Sequence, residues 1–262
     1  MTASISSRTR VRPVSAPGGR RPAPPALVLV AHGSRDPRAL TTVRALMARV
    51  RALRPGLSVH LGHIELNEPL LPGTLAALGD TRAVLVPLLL ARGYHVKQDI
   101  PELAAAAPAR ASVAAPLGPH PLLAEALHAR LTEAGWPAAL DAAARRTTAV
   151  VLAAAGSRDP DSAADTRRTA RLLAGRLGVP VVPAYASAAA PTVPTALRAL
   201  AARGRHRVAV ASCFTAPGRF ATQCAAQAPW IASAPLGAHE AMARLVVHRY
   251  EQSLSARWAE AA

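Results

Sequence analysis

The sequence predicts an α/β fold made of two tandem, doubly wound parallel-sheet domains. Short apolar strands alternate with amphipathic helices along the chain, which at 262 residues is long enough for two domains. The pentapeptide GSRDP occurs twice, at 33–37 and 156–160, each time after an apolar run. The related hexapeptides APLGPH and APLGAH, at 115–120 and 234–239, show the same duplication near the end of each half.

The first predicted elements set the pattern of the fold. Residues 26–31 form an unbroken apolar run of the kind that is buried on both faces of a parallel sheet. The helix that follows, 37–54, has apolar residues at helical spacing and arginines on the opposite face. A Pro-Gly pair ends this helix, and a second strand over 57–66 carries Glu65 near its carboxyl end.

The rest of the chain continues this alternation of strands and helices. The predicted elements that complete the first half are a helix over 67–78, a strand over 83–90, a loop over 91–101, a helix over 101–107, a strand over 111–115 and a helix over 122–134. Residues 137–146 then form a linker, and the second copy follows the same series to a closing helix over 240–257.

The repeat also predicts the domain boundaries, which are 26–140 for the first copy and 147–258 for the second. Residues 1–25 are predicted to be a disordered basic tail, since arginines lie among Ser, Pro and Gly without the apolar core of a secretory signal. No run of roughly 18 apolar residues predicts a membrane span. The two cysteines suggest no disulfide framework, so a cytoplasmic protein is expected.

The net charge of +16 comes almost wholly from arginine, since Lys97 is the only lysine. Such a balance favours anionic partners, with a polycarboxylate small molecule and nucleic acid as the two classes. Arginines on solvated helix faces are the alternative explanation. Nucleic-acid binding is disfavoured because aromatic residues make up only 3% of the chain and no base-reading motif is present.

Three side chains are predicted to meet at the carboxyl edge of the first sheet. His32 follows the first strand, Glu65 lies at the end of the second, and His95 lies on the loop after the third. The carboxyl ends of parallel strands share one edge, and ligands bind there in open α/β sheets. Two imidazoles and a carboxylate suit a divalent ion such as Fe, Co, Ni or Zn, so all three are candidate metal ligands.

The second copy has lost these three residues together. Ala155, Ser187 and Phe220 stand at the positions of the first histidine, the glutamate and the second histidine, while the framework glycines and strands remain. Unrelated histidines would be lost one at a time, so the joint loss favours a single site in the first copy. The second copy is therefore predicted to be degenerate.

Two motifs carry a resemblance to a known family. The HGSR sequence at 32–35 and the GxHxxxDIP pattern at 93–101 resemble the sirohydrochlorin chelatases of the sirohaem and cobalamin pathways. The resemblance extends over the chain beyond the tail, including the duplication seen in the longer members. It implies two chelatase-like domains facing a cleft, with His32 and His95 handling the metal and Glu65 matching a carboxylate often found after the second strand.

The residue types fit the insertion of a divalent ion into a tetrapyrrole. Neutral imidazoles can bind and release the ion, and a histidine or Glu65 can accept a pyrrole proton as general base. Arg35, Arg92 and Lys97 flank the site and are candidate ligands for the carboxylates of the substrate. No P-loop is present, so insertion without ATP and without a cofactor beyond the substrate metal is expected.

These observations lead us to expect an enzyme, a metal-chelating lyase that inserts Fe²⁺ into sirohydrochlorin to give sirohaem. Insertion of Co²⁺ for cobalamin is the alternative, because metal availability rather than this ligand set selects the ion. A tetrapyrrole or metal carrier without turnover is a third possibility. The expected partners are sirohydrochlorin and the metal, with no nucleic acid or membrane, and the chain acts as a monomer or homodimer.

Overall fold

The computed structural model describes residues 23–260, so most of the predicted tail, residues 1–22, lies outside the described residues. The first repeat forms β1 (Ala26–Ala31), α1 (Pro37–Leu53), β2 (Val59–His63), α2 (Leu71–Ala77), β3 (Ala83–Pro87), a π-helix (His95–Asp99), α3 (Ile100–Ala105), β4 (Ala111–Val113) and α4 (Pro121–Glu133). The second repeat, with the helix before it, forms α5 (Ala142–Thr147), β5 (Thr148–Ala154), α6 (Pro160–Leu177), β6 (Val181–Tyr185), α7 (Val193–Ala201), β7 (Arg207–Ser212), α8 (Arg219–Ala225) and α9 (Glu240–Glu260).

Each repeat builds its own parallel sheet, which confirms the predicted fold class. The strand order is β2-β1-β3-β4 in the first sheet and β6-β5-β7 in the second. The strand before each GSRDP motif therefore lies inside its sheet, flanked on both sides by parallel neighbours. This position explains why β1 and β5 are apolar without alternation, since both of their faces are buried.

The second sheet lacks the fourth strand that the repeat predicted, at least among residues 23–260. Only a single parallel bridge, Val210 to Ala232, stands at the place of β4. The Oγ of Ser233 accepts a hydrogen bond from the backbone nitrogen of Ser212 at 2.9 Å. A side chain thus satisfies a donor that a longer strand would pair through its backbone, and the ladder ends there.

The GSRDP motif is a loop that begins a helix in both repeats. The Oγ atoms of Ser34 and Ser157 accept hydrogen bonds from the backbone nitrogens of Asp36 and Asp159, each at 3.1 Å. The two aspartates then cap α1 and α6 through their own carboxylates. A proline at the first helical position completes a favourable start, because it lacks the N–H that would be left unpaired.

The glycine of each motif is required by the backbone. Gly33 has φ +106°, and a Cβ built on it would lie 1.9 Å from the carbonyl oxygen of Glu65. Gly156 has φ +94°, and its Cβ would lie 1.9 Å from the carbonyl oxygen of Ser187. Both conformation and space exclude a side chain. The matching geometry supports the alignment of Glu65 with Ser187.

The two repeats exchange their last helices. Four helices, α1, α4, α6 and α9, share the main apolar core between the sheets, while α2 and α3 pack on the outer face of the first sheet and α7 and α8 on that of the second. Helix α9 packs against β3 of the first sheet, and α4 packs against β7 of the second. The boundaries 26–140 and 147–258 stay a prediction, and each repeat contributes a helix to the other's sheet.

Equivalent hydrogen bonds hold each exchanged helix, α4 and α9, to the opposite repeat. Arg130 of α4 donates to the carbonyl oxygen of Leu236 at 2.9 and 3.0 Å. Arg249 of α9 donates to the carbonyl oxygen of Leu117 at 3.3 Å. The two leucines belong to the duplicated APLG sequences, so both contacts follow from the repeat.

The sequence predicted neither a disulfide framework nor a membrane span. Cys213 and Cys224 are both buried and are not bonded to each other. Burial raises the pKa of the Cys213 thiol to about 12. Within residues 23–260, no helix combines the length and the apolar composition that a transmembrane span requires.

Candidate active site

A large cavity lies where the strand-end loops of the two repeats face each other. Its volume is about 1490 Å³, and its wall includes the two GSRDP loops, the His95 segment and the start of α8. Drug-sized ligand sites are commonly about 300–1,000 Å³, so this cavity accepts a larger molecule. Its position at the carboxyl ends of β1 and β3 is the one that the strand-end argument predicted.

The two predicted metal-binding histidines meet on the wall of this cavity. The ring centroids of His32 and His95 are 4.6 Å apart, and the rings stand edge to face at 88°. The Nδ1 atom of His32 is hydrogen bonded to the carbonyl oxygen of Gly33 at 3.3 Å and lies 3.5 Å from Oε1 of Glu65. The Nδ1 atom of His95 is hydrogen bonded to Oδ2 of Asp99. Each imidazole therefore has a carboxylate beside one ring nitrogen.

This pairing leaves the other nitrogen, Nε2, of each histidine without a hydrogen-bond partner among the described residues. An acceptor oxygen at Nδ1 favours the tautomer with the proton on that atom, orients the ring and leaves Nε2 free to bind a ligand. The geometry therefore provides two neighbouring nitrogen donors rather than a closed ligand cage. Such an open arrangement suits an ion that must be bound and released.

Glu65 lies next to His32, as predicted, but on the side of the ring that carries Nδ1. It lies beyond the end of β2, on the Nδ1 side of His32, and it is not part of the cavity wall. Within residues 23–260, no three His, Cys, Asp or Glu side chains are arranged to hold a metal ion together. The structure gives Glu65 the geometry of a partner for His32, and direct ligation by Glu65 stays a prediction.

Asp99 has a role that sequence analysis described only in part. Its sequence position before Ile100 and Pro101 predicts a cap of the next helix that also orients the His95 loop. The cap is wrong, because the Asp99 side chain makes no capping hydrogen bond and turns back to His95. The two residues stand four apart on a π-helix, where they face the same side.

His63 is a third imidazole at the cavity wall. It ends β2, its side chain is only 1% exposed, and its Nδ1 lies 3.1 Å from the carbonyl oxygen of Pro69. Burial is the main cause that lowers the pKa of His63, so this imidazole is neutral at pH 7. His63 is thus far more buried than His32 and His95, whose side chains are 41% and 37% exposed.

Arg92 and Lys97, predicted to bind substrate carboxylates, already contact carboxylates of the second repeat. Arg92 donates from its backbone nitrogen and Nε at 2.9 Å, and from Nη2 at 2.8 Å, to the carboxylate of Asp165. Lys97 Nζ lies 2.7 Å from Asp159 and 2.8 Å from Asp161. These contacts raise the pKa of both cations. Their contact with substrate stays a prediction.

Sequence analysis missed this group of aspartates, although the repeat contained a signal for it. When the GSRDP motifs are aligned, Asp161 and Asp165 stand where the first repeat has Arg38 and Thr42. Asp165 also lies on the buried face of α6, where a carboxylate requires a partner. The partner is the basic segment that carries His95.

Arg35 is the predicted substrate-binding residue that remains available. It is exposed, lines the cavity, and has no ion-pair partner among the described residues. Its guanidinium can therefore bind an anionic ligand in the cavity without first breaking a contact within the protein.

Comparison with known proteins gives relatives for both repeats. The sirohydrochlorin cobaltochelatase of Methanococcus aeolicus is 37% identical over 81 residues, which are 30% of this chain and 57% of that protein. The sirohydrochlorin ferrochelatase of Bacillus subtilis is 31% identical over 175 residues, which are 63% of this chain and 64% of that protein. The chain thus spans less than two thirds of the length of these curated relatives.

The structural comparison covers more of the chain. The structure of SirB from Bacillus subtilis with Fe³⁺ matches with a TM-score of 0.70 and 25% identity over 87% of this chain and 94% of that one. The family model CbiX matches residues 26–134 and again residues 149–253. Since both repeats match the same model and together make up most of the chain, the protein belongs to the CbiX family.

Proposed function

We propose that the protein is a sirohydrochlorin chelatase that inserts a divalent metal ion into the tetrapyrrole without ATP. The observation that carries the proposal is the pair of imidazoles on the wall of a cavity of about 1490 Å³, each with a carboxylate beside Nδ1. Curated relatives in the same family bear the names sirohydrochlorin ferrochelatase and cobaltochelatase.

The two Nε2 atoms of His32 and His95 bind the ion in this mechanism. Two nitrogen donors leave most coordination positions of a divalent ion open to water and to the pyrrole nitrogens. The ion can then pass to the macrocycle by exchange, because four ring nitrogens replace two imidazoles. Holding ion and macrocycle in one cleft supplies the orientation that the reaction needs.

The same imidazoles remove the protons that insertion releases. A metal-free tetrapyrrole must lose two N–H protons when a divalent ion takes their place. Each histidine becomes free to accept one proton at Nε2 as the ion leaves it, and Glu65 or Asp99 at Nδ1 stabilises the imidazolium that forms. The two carboxylate–imidazole pairs can therefore accept the two N–H protons that the macrocycle loses.

The identity of the metal is part of the proposal. We favour Fe²⁺, which gives sirohaem, and keep Co²⁺ for cobalamin synthesis as the alternative, because imidazole accepts both ions and availability selects between them. The cytoplasmic location and the monomeric or homodimeric state stay predictions.

The test is anaerobic metallation of sirohydrochlorin, followed by absorbance, with Fe²⁺ or Co²⁺. His32→Ala and His95→Ala should each lower the rate at least about 100-fold, and Glu65→Gln and Asp99→Asn about 10- to 100-fold, because they remove the partner of a metal-binding nitrogen. His206→Ala, an exposed histidine of the second repeat, is the control. Wild-type rates in both alanine variants would refute the site, and binding without acceleration would indicate a carrier.

A further inference from the structure

The carboxylates on the cavity wall are already neutralised. Among residues 23–260, Asp36 and Asp159 are the carboxylates that line it. Asp36 is paired with Arg38 at 2.7 Å, and Asp159 with Lys97 at 2.7 Å. The arginine beside Asp36 and the lysine beside Asp159 hold the pKa of each carboxyl below its ordinary value, so both pairs stay ionised at pH 7.

Three arginines on the same wall have no such compensation. Arg35, Arg158 and Arg219 line the cavity, and all three side chains are exposed. In the part of the chain that the structure describes, none of them forms an ion pair with a carboxylate. The cavity therefore has an excess of positive charge, which a concave, low-dielectric wall concentrates. Two of these arginines belong to the second repeat.

Arg158 lies at the end of the cavity that carries His95. The residue before it, Ser157, meets the loop of the first repeat there: a Cβ built on Gly93 would lie 3.5 Å from Ser157 Oγ. Gly93 is two residues from His95 in the chain. The repeat makes Arg158 the counterpart of Arg35, so the two GSRDP loops present one arginine each.

Arg219 lies where the GSRDP loop of the first repeat meets the second repeat. The residue before it, Gly218, meets the loop of the first repeat, since a Cβ built there would lie 3.7 Å from Ser34 Oγ. Arg35 is the next residue after Ser34. The guanidinium carbon of Arg219 lies 5.6 Å from the ring centre of Phe220, which stands at the position of His95 in the repeat.

We propose that Arg158 and Arg219 form a carboxylate-binding subsite, contributed by the second repeat, for the acidic periphery of the macrocycle. Together with Arg35 they place guanidinium groups beside both contacts between a GSRDP loop and the opposite repeat, and guanidinium binds carboxylate with two parallel hydrogen bonds. The proposal rests on the proposed function, because sirohydrochlorin is a polycarboxylate. The second repeat, which lacks the metal-binding histidines, then selects and orients the substrate.

The experiment measures binding of metal-free sirohydrochlorin to Arg158→Gln, Arg219→Gln and the double variant by absorbance titration. The control is the double variant Arg171→Gln/Arg203→Gln, which removes the same charge from exposed arginines of the second repeat outside the cavity. We expect Kd to rise about tenfold for each cavity arginine, in line with the net contribution of a charge-assisted hydrogen bond, and KM for metallation to rise more than kcat falls.

Two further measurements separate this subsite from other causes. Binding of the methyl ester of sirohydrochlorin, which lacks the carboxylates, should be the same in the wild type and the cavity variants. Raising the salt concentration should weaken wild-type binding more than binding by the cavity double variant. Thermal stability should be unchanged, since neither arginine has an ion-pair partner within the described residues.

Equal Kd values for the cavity double variant and the control double variant would overturn the subsite, as would an equal loss of binding for the ester. A wild type that binds the macrocycle but does not accelerate metallation would overturn the proposed function, and the Kd comparison would still decide the subsite. A wild type that does not bind metal-free sirohydrochlorin would overturn both proposals.

Discussion

Asp165 is the residue of the second repeat on which the position of His95 depends most. Its side chain is 2% exposed, and its carboxylate accepts three hydrogen bonds from Arg92. One of these comes from the backbone nitrogen, so Asp165 holds the chain itself just before the segment of His95. Asp165→Asn keeps the shape but removes the charge and turns one acceptor into a donor that faces the guanidinium.

The cost of this change follows from the burial of the two groups. Removing one partner from a buried ion pair costs roughly 3–5 kcal/mol. The Arg92 side chain is 45% exposed and can regain water, so we take a lower value, about 2–3 kcal/mol. In a chain of this size each kcal/mol lowers Tm by roughly 2–4 °C, which gives a fall of roughly 4–12 °C.

The stability that Asp165 contributes should decrease at low pH. Burial alone would raise the pKa of Asp165, but the hydrogen bonds from Arg92 outweigh burial and leave it below the ordinary value of 3.8. A carboxyl with a lowered folded-state pKa contributes stability above its unfolded-state pKa and loses it as the pH falls through the folded value. The difference in stability between wild type and Asp165→Asn should therefore be full at pH 7 and shrink below about pH 4.

The assay combines thermal unfolding at several pH values with the metallation rate at pH 7. The rate should fall about 10- to 100-fold, because small displacements of a reacting group have effects of this size. Asp161→Asn is the control. Asp161 is 43% exposed, and its contacts with Lys97 at 2.8 Å and Arg92 at 3.7 Å are exposed pairs, which contribute about 1 kcal/mol or less. If Asp165→Asn and Asp161→Asn behave alike in both assays, the positioning role of Asp165 is refuted.

Two further predictions concern helix entry and the GSRDP loop. Burial, followed by the charge of Arg249, lowers the pKa of His120 to about 4, so the stability gained by keeping His120 neutral as the cap of α4 is lost as the pH falls from 6.5 towards 4. His120→Asn keeps a cap that does not titrate, so its Tm should fall less than that of wild type between pH 7 and pH 5, and equal falls would contradict this. Gly33→Ala places a Cβ against the carbonyl of Glu65 and should unfold or strongly destabilise the protein, whereas Gly73→Ala, within α2 and with open space around it, should leave Tm unchanged or higher. Circular dichroism melts measure both.

The parts of the fold that local pattern determines were predicted well. The apolar run of β1 has the predicted bounds, 26–31, and the helix after it begins at Pro37, as the Asp36 cap indicates. The strand-end argument also brought His32 and His95 to one cavity, because the edge of a parallel sheet is a consequence of topology rather than of exact lengths. The predicted bounds of β2 and β3 were too long. Leucines continue past the end of β3 into a largely buried loop, whereas the residues after β2 include the exposed Leu66.

The parts that depend on distant contacts were not predictable in the same way. The apolar residues of α4 and α9 show that these helices are buried, but nothing in their spacing indicates which sheet covers them. The contact between the Asp99 carboxylate and His95 is made on a π-helical turn, and the spacing of residues in the sequence does not predict such a turn. The position of Glu65 next to His32 was predictable from the end of β2, but the side of the His32 ring on which it lies was not.

The two contacts between a GSRDP loop and the opposite repeat differ in the ion pairs that surround them. Both contacts bring a GSRDP loop against a glycine of the opposite repeat, and both glycines leave similar space. At the contact near His95, Arg92 and Lys97 reach the aspartates of α6. At the other contact, Pro217 and Thr222 stand at the equivalent positions, and neither can form an ion pair. Among the described residues, these ion pairs therefore exist only around the segment that carries the predicted catalytic histidine, so the second repeat supports the proposed site in the first.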